Sequence, residues 1–260
     1  MRFVKMQNCG NDFIFLFQRP TKTQVIKLCN RNFGIGADGV VYLYQKGNKQ
    51  GIEIYNADGS SALFCGSALL CAGLYLYKES GIKELKVETP SGDKEIFIDA
   101  KKSVKVRVEV GKPNFQASNT KENRFNRLLF LKDERGAFRV RASEVNVGNS
   151  HLVIRGLYDL PTRERIVNAI KNHELFSGGI NVEFCERGHN KAKVIVYERG
   201  CGKTLCCTSG GGAVFALLNK MGHFKNEGKI VYEGGIILFK KVKNKIYAEG
   251  KPKVIFVGAW

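Results

Sequence analysis

The alternation of apolar and polar residues along the chain changes period several times, and the changes come in the same order twice. In the first half, MRFVKMQNCGNDFIFLF reads as strand, turn and strand, TQVIKLCNRNF as a short amphipathic helix, and GIGADGVVYLY as a strand entered through glycines. In the second half, ASEVNVGNSHLVI, PTRERIVNAIKNHELF and GGINVEFCE repeat that series, with Asn11 and Asn149 in the equivalent turns. Each half then has an apolar residue and Tyr, two polar residues, a loop with a cysteine, and an apolar stretch of helical length. These segments are IYNADGSSALFCGSALLCAGLYLYKESG from Ile54 and VYERGCGKTLCCTSGGGAVFALLNKMG from Val196.

The spacing supports duplication over coincidence. Cys65 falls nine positions after Asn56 and Cys207 nine after Glu198, and a serine follows two residues after each cysteine. Gly81 and Gly222 close the two apolar stretches and read as helix C-caps. Alternating strands then lead to a Gly-Lys-Pro in each copy, Gly111 to Pro113 and Gly250 to Pro252, 46 and 43 residues after the respective cysteine. Two similar domains of strand, polar loop, cysteine and helix follow. The polar stretch from about Gln116 to Asn126 places the boundary, giving residues 1–118 and 119–250, and the terminal VIFVGAW in 251–260 is expected to return a strand to the first domain.

The 260 residues are 43% hydrophobic, enough to build a packed core. No apolar run approaches the length of a membrane span, and the N-terminal segment lacks a signal-like apolar stretch, so a cytoplasmic protein without a membrane partner is expected. Eight cysteines in such a chain are expected to stay thiols. The formal charge of +18 comes from 42 Lys and Arg spread along the whole chain, which does not mark a nucleic-acid footprint.

Both Cys65 and Cys207 precede an expected helix. Free amides and the macrodipole there favour the thiolate and offer N–H groups to a carboxylate, from Gly66 and Ser67 in one copy and Thr208 and Ser209 in the other. Two pseudo-symmetric thiols suit stereoinversion, in which one removes the α-proton from one face of a substrate carbon and the other returns a proton to the opposite face. Cys9, Cys29, Cys71, Cys185 and Cys201 are read as packing residues. So is Cys206, whose repeat partner is Phe64. No CxxC spacing supports a metal site, GIGADG fits no nucleotide fingerprint, and no motif for pyridoxal phosphate or a nicotinamide is evident.

Several motifs in order, GNDF (10–13), RNFGIGADG (31–39), YNADGS (55–60), CGS (65–67), GNSH (148–151), NVEF (181–184), YERG (197–200) and TLCCTSG (204–210), resemble the diaminopimelate epimerase family of cofactor-independent amino-acid epimerases and racemases. The resemblance implies an α+β fold of two pseudo-symmetric domains, each a curved mixed sheet or barrel around a central helix. It implies Cys65 and Cys207 as catalytic thiols assisted by His151 and Glu198. Substrate groups would be bound by Asn11, Asn56, Gly66, Ser67, Asn149, Asn181, Glu198, Arg199, Thr208 and Ser209. The implied reaction is epimerisation of LL-2,6-diaminopimelate to the meso form for lysine and peptidoglycan synthesis, with no cofactor and no metal. The expected partner is the small amino-acid substrate alone; a homodimer is compatible with the chain.

The sequence departs from the family pattern at Ser67, Ser150, Lys203 and Thr208, all near the two helix starts. That leaves a related racemase acting on another amino acid, such as glutamate or histidine, as the alternative. A dithiol redox or metal-binding protein and a basic nucleic-acid binder are the readings from other classes, and only the first of these two depends on Cys65 and Cys207.

Overall fold

A computed structural model of the chain describes residues 1–116 and 124–260, so the boundary expected at 118/119 lies outside the described residues. Two compact units form, Met1–Val110 with Tyr247–Trp260, and Gly111–Ile246.

The first unit begins with β1 (Arg2–Asn8), β2 (Asn11–Leu16), α1 (Lys22–Cys29), β3 (Gly39–Lys46), β4 (Lys49–Asn56) and β5 (Ser61–Ala62). It continues with α2 (Gly66–Ser80), β6 (Glu84–Glu88), β7 (Lys94–Asp99) and β8 (Lys105–Gly111), and the end of the chain supplies β18 (Lys253–Ala259). The terminal strand β18 pairs antiparallel with β1. From β1 the ladder runs through β2, β3, β4, β6 and β7 to β8, with β2–β3 and β4–β6 parallel and the remaining pairs antiparallel. This is a mixed sheet.

α2 packs against β1, β2 and β18 near one end of that order and against β7 near the other. A sheet that touches one helix from both ends must curl around it. The helix sequence suits this place, because an apolar helix all round is a core helix, and ten of its fifteen residues, from Gly66 to Leu74 and Leu76, are buried. Gly81 ends it in the left-handed conformation, φ 73°, which L side chains rarely adopt. Alternation along β2 and β3 divides the remaining apolar residues. Ile14, Leu16 and Val40 pack with Val25 and Leu28 of α1 on the outer face, which leaves Phe13, Phe15 and Val41 on the inner face with α2.

The second unit repeats the plan with β9 (Arg127–Asp133), β10 (Gly136–Asn146), β11 (Ser150–Arg155), α3 (Leu160–Lys171), β12 (Asn181–Gly188) and β13 (Lys191–Glu198). It continues with β14 (Gly202–Thr204), α4 (Thr208–Lys220), β15 (Glu227–Tyr232) and β16 (Gly235–Val242); β17 (Lys245–Gly250) runs across the division between units. β11–β12 and β13–β15 are parallel, matching β2–β3 and β4–β6. α4 is apolar along its length and packs on β10, β11, β12, β15 and β16. On the outer face Leu152, Ile154, Val182 and Phe184 meet Ile166 and Ile170 of α3. The C-cap of α4 is Met221, one residue before the expected Gly222, which follows with φ 75°.

Candidate active site

In the N-terminal unit Cys65 is the N-cap of α2, extended at φ −144° and ψ 111°, half-buried and without a side-chain cap bond. Its thiol points at Asn11 Oδ1, 3.9 Å away. The orientation of that amide is fixed from behind: Asn11 Nδ2 donates to Asp38 Oδ2 at 2.8 Å, which leaves Oδ1 for the sulfur. Asp38 is itself held by the Asp12 amide and by Arg31. Burial works to raise the Asp12 carboxyl, but hydrogen bonds from Arg31 and Lys5 outweigh it and hold the group below its ordinary value. An anchored network of charges therefore sets one neutral amide beside the thiol. Asn56 ends β4, exposed, and its Nδ2 donates to Ser60 Oγ at 2.9 Å. Gly66 and Ser67 form the buried first turn of α2.

The C-terminal unit places Cys207 as the N-cap of α4 at φ −132° and ψ 113°, nearly the same backbone conformation. Here the sulfur is buried. It accepts the Gly210 N–H at 3.4 Å and lies 3.4 Å from Ser209 Oγ. The Tyr232 hydroxyl donates to the Cys207 carbonyl at 2.6 Å, fixing the residue from its backbone. Thr208 and Ser209, in the first turn, are buried as well.

Two carboxyl side chains act on this thiol, Glu198 and Glu183, and His151 pairs with the second. Glu198, at the end of β13, accepts from Thr204 Oγ1 at 2.5 Å. Burial raises its carboxyl, and hydrogen bonds from Thr204 and Cys207 pull only part of the way back. His151, on β11, is fully buried with Nδ1 2.6 Å from Glu183 Oε1 and Nε2 3.0 Å from Asn149 Oδ1. The helix start was expected to favour the thiolate at Cys207. Instead burial, Glu198 and Glu183 push the thiol well above its ordinary value, and the bonds from Ser209 and Gly210 offset only part of that. Desolvation together with two carboxylates outweighs one helix terminus. The group is a protonated thiol at neutral pH, suited to donate.

Asn181 and Arg199 complete the C-terminal cluster, and the amide of Asn181 is already engaged. Its Nδ2 donates to the Ser150 carbonyl at 3.0 Å and its Oδ1 accepts the Arg199 N–H at 2.9 Å. The exposed Arg199 guanidinium reaches the Gly178 carbonyl at 3.3 Å. Lys203, one of the departures, pairs with Glu233 on the surface at 2.7 Å. Thus Asn149, His151, Asn181, Glu198, Arg199 and Cys207 to Ser209 gather in one unit, and Asn11, Cys65, Gly66 and Ser67 around α2 in the other.

The remaining cysteines divide. Cys29, Cys71, Cys185 and Cys206 are buried, and burial pushes the Cys29 thiol up to about 11 and that of Cys185 up to about 12. Cys201, expected as packing, is exposed in the turn after β13, and Cys9 is half-buried at φ 52°. Among the described residues no group of three or more His, Cys, Asp or Glu is arranged to hold a metal ion, and no helix is long and apolar enough to cross a membrane.

Sequence reasoning missed Glu183. It stands inside the quoted NVEF stretch, but only Asn181 was singled out there. The available signal was a lone acid in the otherwise apolar run of β12, at a position whose period puts it on the inner face.

Comparison with known proteins gives the arrangement its context. The family model described as diaminopimelate epimerase matches residues 3–116 and 142–255. The diaminopimelate epimerase of Rickettsia prowazekii is 30% identical over all of this chain and 97% of its own length. That of Carboxydothermus hydrogenoformans is 32% identical over 100% and 99%. Among solved structures, a hydroxyproline epimerase from Agrobacterium vitis superposes with a TM-score of 0.71 at 12% identity, covering 99% of this chain and 91% of that one. A phenazine biosynthesis protein of the PhzF family from Bacillus anthracis gives 0.72 at 12% identity over 100% and 99%. These last two share the two-repeat fold. Over its whole length the chain belongs to the diaminopimelate epimerase family of isomerases.

Proposed function

We propose that the protein interconverts LL-2,6-diaminopimelate and meso-diaminopimelate, supplying lysine and peptidoglycan synthesis, by two-base chemistry without a cofactor. One observation carries the reading. Each half ends a polar loop in a cysteine that caps its central helix in the same extended conformation, φ −144° and −132°. Thiols at duplicated helix starts are worth keeping in both halves when a planar carbanion must be approached from opposite faces.

In this scheme Cys65 and Cys207 act on one α-carbon from opposite sides. The first-turn amides after each cysteine, which a helix cannot satisfy internally, bind the reacting carboxylate as its charge delocalises. Cys207, kept protonated by burial beside Glu198 and Glu183, donates to the carbanion, while Cys65 as thiolate abstracts. In the reverse direction the roles exchange, and Glu198, which hydrogen-bonds to Cys207, takes up the thiol proton. Asn11 presents its carbonyl oxygen to the Cys65 side. Glu198, Arg199 and the asparagines supply the acceptor and fork-like donor that a second amino-acid head group requires.

The test is α-proton exchange into D₂O under reducing conditions, with LL- and meso-diaminopimelate and a panel of other amino acids, on the wild type and on Cys65→Ser and Cys207→Ser. Exchange with diaminopimelate that either substitution cripples supports the reading. Cysteine-dependent exchange with another amino acid alone would move the substrate to the racemase alternative. No exchange with any of them would overturn the assignment.

A further inference from the structure

Beyond the charge it sets beside Cys207, Glu183 is a buried carboxylate that moves no proton in the two-thiol scheme. Its side chain has no solvent exposure. Oε1 meets His151 Nδ1 at 2.6 Å, whereas the buried Oε2 has no hydrogen-bond partner among the described residues. Burying a carboxylate with one oxygen unmatched is costly. The fold makes room for it all the same. A Cβ on Gly210 would lie 2.5 Å from Glu183 Oε1, so only glycine lets the carboxylate rest against the first turn of α4. The Gly210 N–H is also the donor to the Cys207 sulfur. One side chain thus touches both the imidazole and the helix turn that holds the thiol.

We propose that Glu183 is a positioning residue that keeps a hydrogen on His151 Nδ1 in every state of the ring, so that protons enter and leave only through Nε2. This rests on reading the C-terminal cluster as a proton-transfer centre. When the ring carries two hydrogens, Nε2–H donates to Asn149 Oδ1 as the amide stands, at 3.0 Å. With only one, Nε2 becomes an acceptor, and a half-turn of the Asn149 amide presents its NH₂ instead. The ring need not move. One proton is exchanged at Nε2, the Nδ1–H bond persists, and no electron is transferred. The other titratable groups in this buried cluster are Glu198 from β13, Cys207 from α4 and Tyr232 from β15. None of them displaces Glu183 from Nδ1.

The experiment is nitrogen-15 NMR of histidine-labelled protein, with the His151 signals assigned through His151→Gln and followed across the histidine titration range. In the wild type the singly protonated ring is expected as the Nδ1–H form. In Glu183→Gln, which keeps the volume but can also donate to Nδ1, the Nε2–H form should rise by roughly tenfold or more, and Glu183→Leu should behave likewise. Alongside this, kcat for the exchange reaction is expected to fall about 10- to 100-fold in Glu183→Gln with KM within about threefold. A wild-type ring protonated on Nε2, or a tautomer ratio that Glu183→Gln leaves unchanged, overturns the proposal. Because the NMR measurement needs no substrate, failure to epimerise any amino acid would remove the functional reading while leaving the tautomer result to stand or fall separately.

Discussion

The two halves share a fold and differ in what lines the inner face of each sheet. Strand pairing identifies the equivalent positions. Phe13 stands opposite Gly39 at the start of β2–β3, and His151 stands opposite Asn181 at the start of β11–β12. Two residues on, Val41 of β3 corresponds to Glu183 of β12, and Asn56 and Glu198 end β4 and β13. Phe13, Val41 and Asn56 in one half are therefore His151, Glu183 and Glu198 in the other. The adjacent helix turn follows suit: three residues after the cysteine, α2 has Ala68 and α4 has Gly210, because only the second half has a carboxylate in the space a methyl would fill. Four substitutions turn an apolar, amide-lined thiol into one surrounded by ionisable groups. The backbone that presents the sulfur is conserved between halves, and the chemistry around it is not.

If both thiols serve one reaction despite these unequal settings, losing either should be equally grave. Cys65→Ser and Cys207→Ser are each expected to lose about a thousandfold or more in epimerisation rate, since proton transfer is the whole of the chemistry. A tenfold loss at one and complete loss at the other would mean that a single half carries the reaction. Accessibility should still separate them: iodoacetamide is expected to label Cys65 about tenfold faster than Cys207, read by peptide mass, because only Cys207 is both buried and kept protonated.

Exchanging the linings tests the comparison in stability. Phe13→His with Val41→Glu would bury a polar pair in a site packed for apolar side chains, with the Ala68 methyl where the second half has Gly210, and should cost about 3–5 kcal/mol in urea unfolding. The reverse pair, His151→Phe with Glu183→Val, is expected to leave stability unchanged or raise it by about 1–2 kcal/mol while abolishing activity. A large loss of stability there would show that the dyad holds the fold together. Gly210→Ala is a smaller intrusion, expected to cost about 1–3 kcal/mol, and Glu183→Val should relieve it with a coupling above about 1 kcal/mol. Ala68→Gly, at the equivalent helix position, should cost only about 0.5–1 kcal/mol.

How much of this was legible in the sequence follows from the same comparison. The duplication could be read because turns, cysteines and helix-closing glycines recur at fixed spacing, and those residues are dictated by local backbone geometry. Cys65 and Cys207 could be read for the same reason. The setting of Cys207 could not, since a thiol's ionisation depends on what β12 and β13 bring beside it, and the helix start lies outside that hairpin in sequence. Glu183 was hidden by its surroundings: INVEFC reads as a buried strand, and an acid in such a run has no local signature of the histidine 32 residues earlier. Asn181 carries a second role that its motif does not reveal: its amide links Ser150 at the start of β11 to the backbone of Arg199 just after β13.

The smallest effect expected is a slope of stability with pH that follows the residue ending β13 and not the one ending β4. Burial holds the Glu198 carboxyl above its ordinary 4.5, with Thr204 and Cys207 opposing. A carboxyl raised on folding binds a proton more tightly in the native state than in the unfolded chain. Its contribution is therefore fully present below the unfolded value and lost as pH rises through the raised native one. Glu198→Gln has no such group to ionise, so its stability relative to wild type should improve steadily as pH climbs from about 4 to 7, measured as Tm at each pH. Asn56→Gln, at the equivalent exposed position of the first half, should show an offset that does not vary with pH. If the Glu198→Gln difference is also flat, the carboxyl ionises in the native protein as it does in the unfolded chain. The polar lining of the C-terminal half would then impose no electrostatic cost there, and the contrast between the two thiols would reduce to one of burial alone.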